Sequence, residues 1–136
     1  MRALLVAALV CASAACHDRD AAPIPMTPTT PTPVVADVIE YRVTGQTGGA
    51  PVSIKYTDSI NGLSILPAVG LPYFASVQST DAEVFIVLEA SANAVSGFGA
   101  TAVLEVQIFI NGRLFREAYA TGFGPLYASA SGTWRR

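Results

Sequence analysis

From residue 37 onward, apolar and polar side chains alternate in short runs separated by turn residues. In VIEYRVTG, Ile39, Tyr41 and Val43 alternate with Glu40, Arg42 and Thr44; in VSIKYTD, Val52, Ile54 and Tyr56 alternate with Ser53, Lys55 and Thr57. Period two is the repeat of a strand with one dry and one wet face. LPYFASVQST puts Leu71, Tyr73, Ala75 and Val77 on one side, with Pro72 near its start, where a missing N–H is tolerated. AEVFIVLEASA places Val84, Ile86, Leu88 and Ala90 inward. In AVLEVQIFINGRLFREAYATG two alternating runs meet at Asn111-Gly112, a dipeptide that takes the positive φ values of a type I′ turn and predicts a two-residue hairpin. That register sets Ile108 opposite Phe115, Leu104 opposite Tyr119 and Gln107 opposite Arg116. A last run, LYASASGTW, ends at Trp134, and LSIL is a further short candidate. The joins GQTGGAP and SGFGA suit loops, and no amphipathic helical stretch exceeds two turns. These elements predict an all-β fold, an antiparallel immunoglobulin-like β-sandwich of about seven strands.

The strand region, residues 34–136, has the length of one self-sufficient domain. It contains no cysteine, because both cysteines of the chain, Cys11 and Cys16, precede it, so its core must hold without a disulfide. Charged residues make up 13% of the chain, against roughly 25% in ordinary globular proteins. Its outer faces are therefore built from Ser, Thr, Ala and some exposed apolar side chains. A formal charge of −2 with no basic stripe gives nucleic acid nothing to bind.

Residues 1–16 read as an export signal. Arg2 precedes an uncharged run over residues 3–15 dominated by Ala, Leu and Val. Its thirteen residues fall short of the roughly 20 that a membrane-spanning helix needs. Ser13, Ala14 and Ala15 lead into Cys16 and resemble a lipobox, which predicts lipidation at Cys16 and attachment of the chain to a membrane in the cell envelope. Ser13 stands where such motifs usually carry Leu, and ordinary cleavage after Ala14 or Ala15 is the alternative, giving a secreted or periplasmic soluble protein. Residues 17–33 form a Pro/Thr-rich linker with prolines at 23, 25, 28, 31 and 33. Proline fixes φ and biases its neighbour toward extended backbone, so the segment favours polyproline II and reaches roughly 40 Å at about 3.1 Å per residue.

No set of residues in the domain suggests a reaction. Acid–base work or metal binding needs convergent His, Cys or carboxylate groups. The one histidine, His17, lies outside the domain, and Glu40, Glu83, Glu89, Glu105 and Glu117 fall on strands as wet-face charges. DSING, residues 58–62, offers two side chains where a calcium site takes roughly six to eight oxygens, and reads as a turn. The chain is expected to be no enzyme and to need no cofactor or metal. The candidate interface is instead the set Phe85, Val87, Val103, Phe109 and Leu114, apolar residues on the faces opposite the inward ones. Contiguous exposed apolar residues mark partner surfaces. The alternative is that they lie on central strands under a loop such as SANAVSGFGA.

In order along the chain, YRVTG, VSIKYTD, GLPYFASV, VFIVLEASA, VLEVQIFINGRLFREAYATG and ASASGTW resemble the extracytoplasmic domain of the mycobacterial membrane protein small (MmpS) family, over about a hundred residues. The family's "I-x-Y-x-D" strand matches Ile54, Tyr56 and Asp58; its "LPW" strand matches Leu71, Pro72 and Tyr73; its hairpin matches Leu104, Val106 and Ile108 running into Asn111-Gly112. The chain departs from the family in lacking its hairpin and terminal cysteines, in carrying Tyr73 in place of tryptophan, and in having a lipobox-like stretch where members have a membrane helix. The resemblance implies a β-sandwich and a role as accessory or scaffolding subunit to a resistance-nodulation-division (RND) type membrane transporter. An independent β-sandwich module that binds a small ligand or polysaccharide in the loops at one end is the alternative.

Overall fold

A computed structural model describes residues 31–59, 61–94 and 101–136. The expectations for residues 1–30, Cys16 among them, and for residues 95–100 in the loop SANAVSGFGA lie outside the described residues. Eight strands follow one another with no helix among the described residues: β1 (Asp37–Gln46), β2 (Val52–Thr57), β3 (Leu63–Val69), β4 (Tyr73–Ser79), β5 (Glu83–Ala94), β6 (Ala102–Ile110), β7 (Arg113–Gly122) and β8 (Gly124–Arg135). They pair antiparallel in two four-stranded sheets, the first ordered β4-β1-β6-β7 and the second β3-β2-β5-β8. The fold is an all-β sandwich. The eighth strand is the LSIL run, extended to Val69.

The predicted inward residues meet between the sheets. Ile39, Tyr41, Val43, Leu104, Val106 and Ile108 of the first sheet face Val52, Ile54, Ile86, Leu88 and Ala90 of the second, all at 0–1% exposure. Each large apolar side chain so placed contributes about 1.5–3 kcal/mol. Tyr41 is fully buried among them, and its hydroxyl donates to the Thr57 carbonyl at 2.8 Å, so no polar atom is stranded. Burial pushes the Tyr41 phenol well above its ordinary value.

The hairpin turn forms as predicted, with Asn111 and Gly112 at φ of 51° and 76°. Asn111 does more than turn the chain. Its backbone N–H donates to the Val38 carbonyl at 2.8 Å and its Oδ1 accepts from the Val38 N–H at 2.9 Å, so the turn also extends the β1–β6 pairing.

The predicted hairpin register holds only at its tip, where Ile110 pairs with Arg113 and Phe109 with Leu114. Phe115 is then skipped, and Ile108 pairs with Arg116, Gln107 with Glu117 and Leu104 with Ala120. The expected pairs Ile108–Phe115, Leu104–Tyr119 and Gln107–Arg116 are thereby corrected. The reason is a β-bulge, which shifts the side-chain phase by one. Without it Glu117 and Tyr119 would point into the sandwich. With it the partly buried set becomes Phe115, Ala118 and Ala120, and Tyr119 is 77% exposed. A second bulge, at Pro67 and Ala68 of β3, accommodates the proline in an edge strand.

One carboxylate joins three distant parts of the chain. Asp37 Oδ1 accepts from Asn111 Nδ2 at 2.8 Å, while Oδ2 accepts from Trp134 Nε1 at 3.0 Å and from Arg136 Nη2 at 3.1 Å. The start of β1, the hairpin turn and the end of β8 are thus held together. The Asn111 and Trp134 bonds, and then the Arg136 guanidinium, hold the Asp37 carboxyl below its ordinary 3.8, against an opposing effect of burial.

Two outcomes follow from this architecture. At Gly45, φ is +143° and a Cβ would lie 2.1 Å from the Val103 carbonyl oxygen across the β1–β6 pair, whereas nothing lies within 4 Å of a Cβ at Gly70. Gly45→Ala should therefore cost about 2–3 kcal/mol in urea unfolding and Gly70→Ala less than about 1 kcal/mol. Because the folded Asp37 value is lowered, its contribution is complete above 3.8 and is lost as pH falls through the folded value. Unfolding measured on acidification should lose stability more steeply for the native chain than for Asp37→Asn, which starts less stable.

Candidate functional site

The two sheets put the predicted interface residues on opposite outer faces. Phe85 and Val87 stand on β5 in the second sheet; Val103, Phe109 and Leu114 stand on β6 and β7 in the first. They do not form one patch, because the whole core lies between them. The two groups have different surroundings.

On the first sheet, polar side chains cover Phe109, while Phe74, Leu114 and Tyr119 stay exposed. The Arg42 guanidinium lies 4.1 Å from the centroid of the Phe109 ring and also reaches Glu40 at 3.3 Å. Leu114 pairs with Phe109 across the hairpin and is 49% exposed. Gln107 donates to Glu105 at 2.9 Å, and the Thr44 hydroxyl donates to Glu105 at 3.4 Å. Phe109 is half-buried under its own sheet's side chains, and residues 95–100 of the loop SANAVSGFGA lie outside the described residues. A cation above an aromatic face contributes about 0.5–1 kcal/mol at a site this open. Val103, at the far end of β6, is half-buried against Thr121.

On the second sheet the apolar residues stay open. Phe85 is 60% exposed, and Leu63 and Ile65 on β3 are 54% and 64% exposed. Half-buried Val87 connects them, since its N–H donates to the Thr57 hydroxyl at 3.0 Å and Thr57 pairs with Leu63. Thr57, Leu63, Glu83, Phe85 and Val87 border a hollow of about 270 Å³. The Lys55–Glu89 pair at 3.0 Å crosses β2 and β5 beside Ile65. Leu63 and Ile65 escaped the sequence reading because alternation alone would place them inside, with Ser64 out. In fact Ser64 sits opposite inward Tyr56 and Leu66 packs on the core, so β3 presents Leu63 and Ile65 outward.

At one end of the sandwich, residues 45–51 and 68–71 border a second hollow of about 490 Å³, lined mostly by glycine, alanine and backbone. Near it, Tyr41, Tyr56 and Tyr73 form a chain of tilted rings with centroids 5.1 and 6.3 Å apart. Burial, then a hydrogen bond with Tyr56, pushes the Tyr73 phenol up to about 12. The raised phenols of Tyr41 and Tyr73 stay protonated at neutral pH. Around DSING, whose residue 60 lies outside the described residues, Asp58 Oδ1 accepts from the Gly62 N–H at 2.8 Å and the Asp58 carbonyl accepts from the Asn61 N–H at 3.3 Å. Among the described residues no three His, Cys, Asp or Glu side chains gather as metal ligands, and no helix is long and apolar enough to cross a membrane.

The chain matches no protein-family model and no curated protein.

The two faces separate under substitution. Phe85→Ser should change the melting temperature little, because the ring is mostly in water already. Phe109→Ser removes a half-buried ring with its Arg42 and Leu114 contacts, and should cost about 1–2 kcal/mol in thermal or urea unfolding.

Proposed function

We propose that this chain is a non-catalytic extracytoplasmic lipoprotein, anchored through Cys16, whose β-sandwich serves as an accessory or scaffolding subunit for an RND-type membrane transporter. The observation that carries an interaction role is the open apolar group Leu63, Ile65 and Phe85 on the second sheet. A Phe side chain left in water forgoes about 2 kcal/mol of burial, which a partner surface recovers. The transporter as partner follows from the resemblance of the strand sequences to MmpS domains, and the lipid anchor from the lipobox-like residues 13–16.

A second reading is favoured by the hollow of about 490 Å³ at the loop end of the sandwich. There the module would bind a small ligand or a polysaccharide segment through glycine-rich backbone, independently of any transporter.

In-cell crosslinking of a tagged copy in the native host, followed by mass spectrometry, distinguishes the two. Recovery of an RND-type transporter subunit is expected, reduced severalfold by Phe85→Ser with the fold retained by circular dichroism. Recovery of envelope glycans alone, or of no specific protein, would refute the transporter role and leave the loop-end reading.

A further inference from the structure

From Lys55 onward, away from Phe85, the outer face of the second sheet forms a groove. Its walls are Ile65 on edge strand β3 and Tyr127 on edge strand β8, 64% and 59% exposed. These strands lie three spacings apart, about 14 Å at roughly 4.8 Å per strand. Between the walls the floor is low and polar. Lys55 and Glu89 pair across β2 and β5 at 3.0 Å, and Ser53 stands opposite Ser91 in the next row, both half-buried. Ile65 is opposite Lys55 and Tyr127 is opposite Ser91, so all six side chains project from one face. A hollow of about 140 Å³ lies among them, on the order of one sugar ring.

The chemistry of this groove selects its occupant. Its floor holds one positive and one negative charge, so an anionic ligand meets Glu89 and a cationic one meets Lys55. An apolar occupant would take that pair out of water without replacing its hydrogen bonds, which is costly for paired charges. Among the described residues the ammonium uses one of its three donors on Glu89, and the carboxylate keeps acceptor sites to spare. The two serine hydroxyls beside them both donate and accept. An extended peptide would seek backbone partners, and β2 and β5 offer none on this floor because each is paired on both sides. The floor and walls together call for an uncharged ligand dense in hydroxyl groups, with an apolar flat side for the Tyr127 ring. A pyranose has that construction, with C–H groups on its faces and hydroxyls around its rim.

We infer that this groove binds an uncharged polysaccharide, one pyranose stacked on Tyr127 with its hydroxyls held by Lys55, Glu89, Ser53 and Ser91. The chain of sugars lies across the sheet, away from the loop-end hollow bordered by residues 45–51.

The inference stands apart from the transporter reading, because its test uses purified protein. The full chain in detergent is titrated calorimetrically with neutral hexasaccharides of glucose, of mannose and of galactose, and with a hexasaccharide of galacturonic acid. Saturable binding of at least one neutral chain and no binding of the acidic one are expected. Tyr127→Ala should weaken binding about fivefold, the loss of one stacking ring, and Tyr127→Phe, which keeps the ring, should recover most of it. Tyr119→Ala, an exposed tyrosine of the other sheet, should leave it unchanged. Failure of every neutral chain to bind, equal binding of the acidic chain, or binding indifferent to Tyr127→Ala would overturn the proposal. If Tyr127→Ala fails to fold by circular dichroism, NMR shift mapping on the native chain with the bound hexasaccharide decides. Shifts at Ile65, Ser91 and Tyr127 support the groove; shifts elsewhere overturn it, and shifts confined to residues 45–51 and 68–71 do so in favour of the loop-end hollow.

Discussion

The inner faces of β1 and β6 close on those of β2 and β5 with side chains at essentially zero exposure, and the domain has no cysteine to reinforce that contact. Burial of apolar surface between the sheets is therefore what the rest of the structure answers to. The bulge at Phe115 exists because β7 would otherwise turn Glu117 and Tyr119 into the core. The hydroxyl of Tyr41 finds the Thr57 carbonyl because a phenol in this layer would otherwise strand a donor. The Asp37 carboxylate, held by Asn111, Trp134 and Arg136, fastens one end of the two sheets where the apolar layer ends.

With the core satisfied, the outer faces are free to differ, and they do. The first sheet covers Phe109 with Arg42 and connects Glu105, Gln107 and Thr44 by hydrogen bonds, a surface content in water. The second leaves Leu63, Ile65 and Phe85 open beside one Lys55–Glu89 pair. Exposed ion pairs of this kind contribute little. Both outer faces carry open apolar side chains, Phe74, Leu114 and Tyr119 on the first sheet and Leu63, Ile65 and Phe85 on the second, and only the second gathers them around Val87 beside a hollow.

Much of the strand content was legible from alternation, since a strand in a two-layer fold buries every second residue. Ile39, Tyr41 and Val43, and Val84, Ile86 and Leu88, could be assigned inward before any pairing was known. Asn111-Gly112 was legible as a turn because few other dipeptides take two positive φ values. The bulge left a trace in FREAYATG, where the small inward residues move to even positions after Phe115, but period-two reading assumes an unbroken phase. Strand β3 misleads in the same way: Leu63 and Ile65 point outward while Leu66 packs on the core, and its neighbours decide that. The candidate surface was legible only in fragments, because Phe85 and Phe109 look equivalent along the chain.

By itself, then, the sequence determined an all-β domain, its main strands, its hairpin turn and its disulfide-free core. These are local properties, set by the two-residue repeat and by the backbone preferences of a few residues. Only the tertiary structure decided which strands share a sheet and that Phe85 and Phe109 lie on opposite faces. Pairing partners are chosen by contacts between residues far apart in the chain, and no local pattern encodes them.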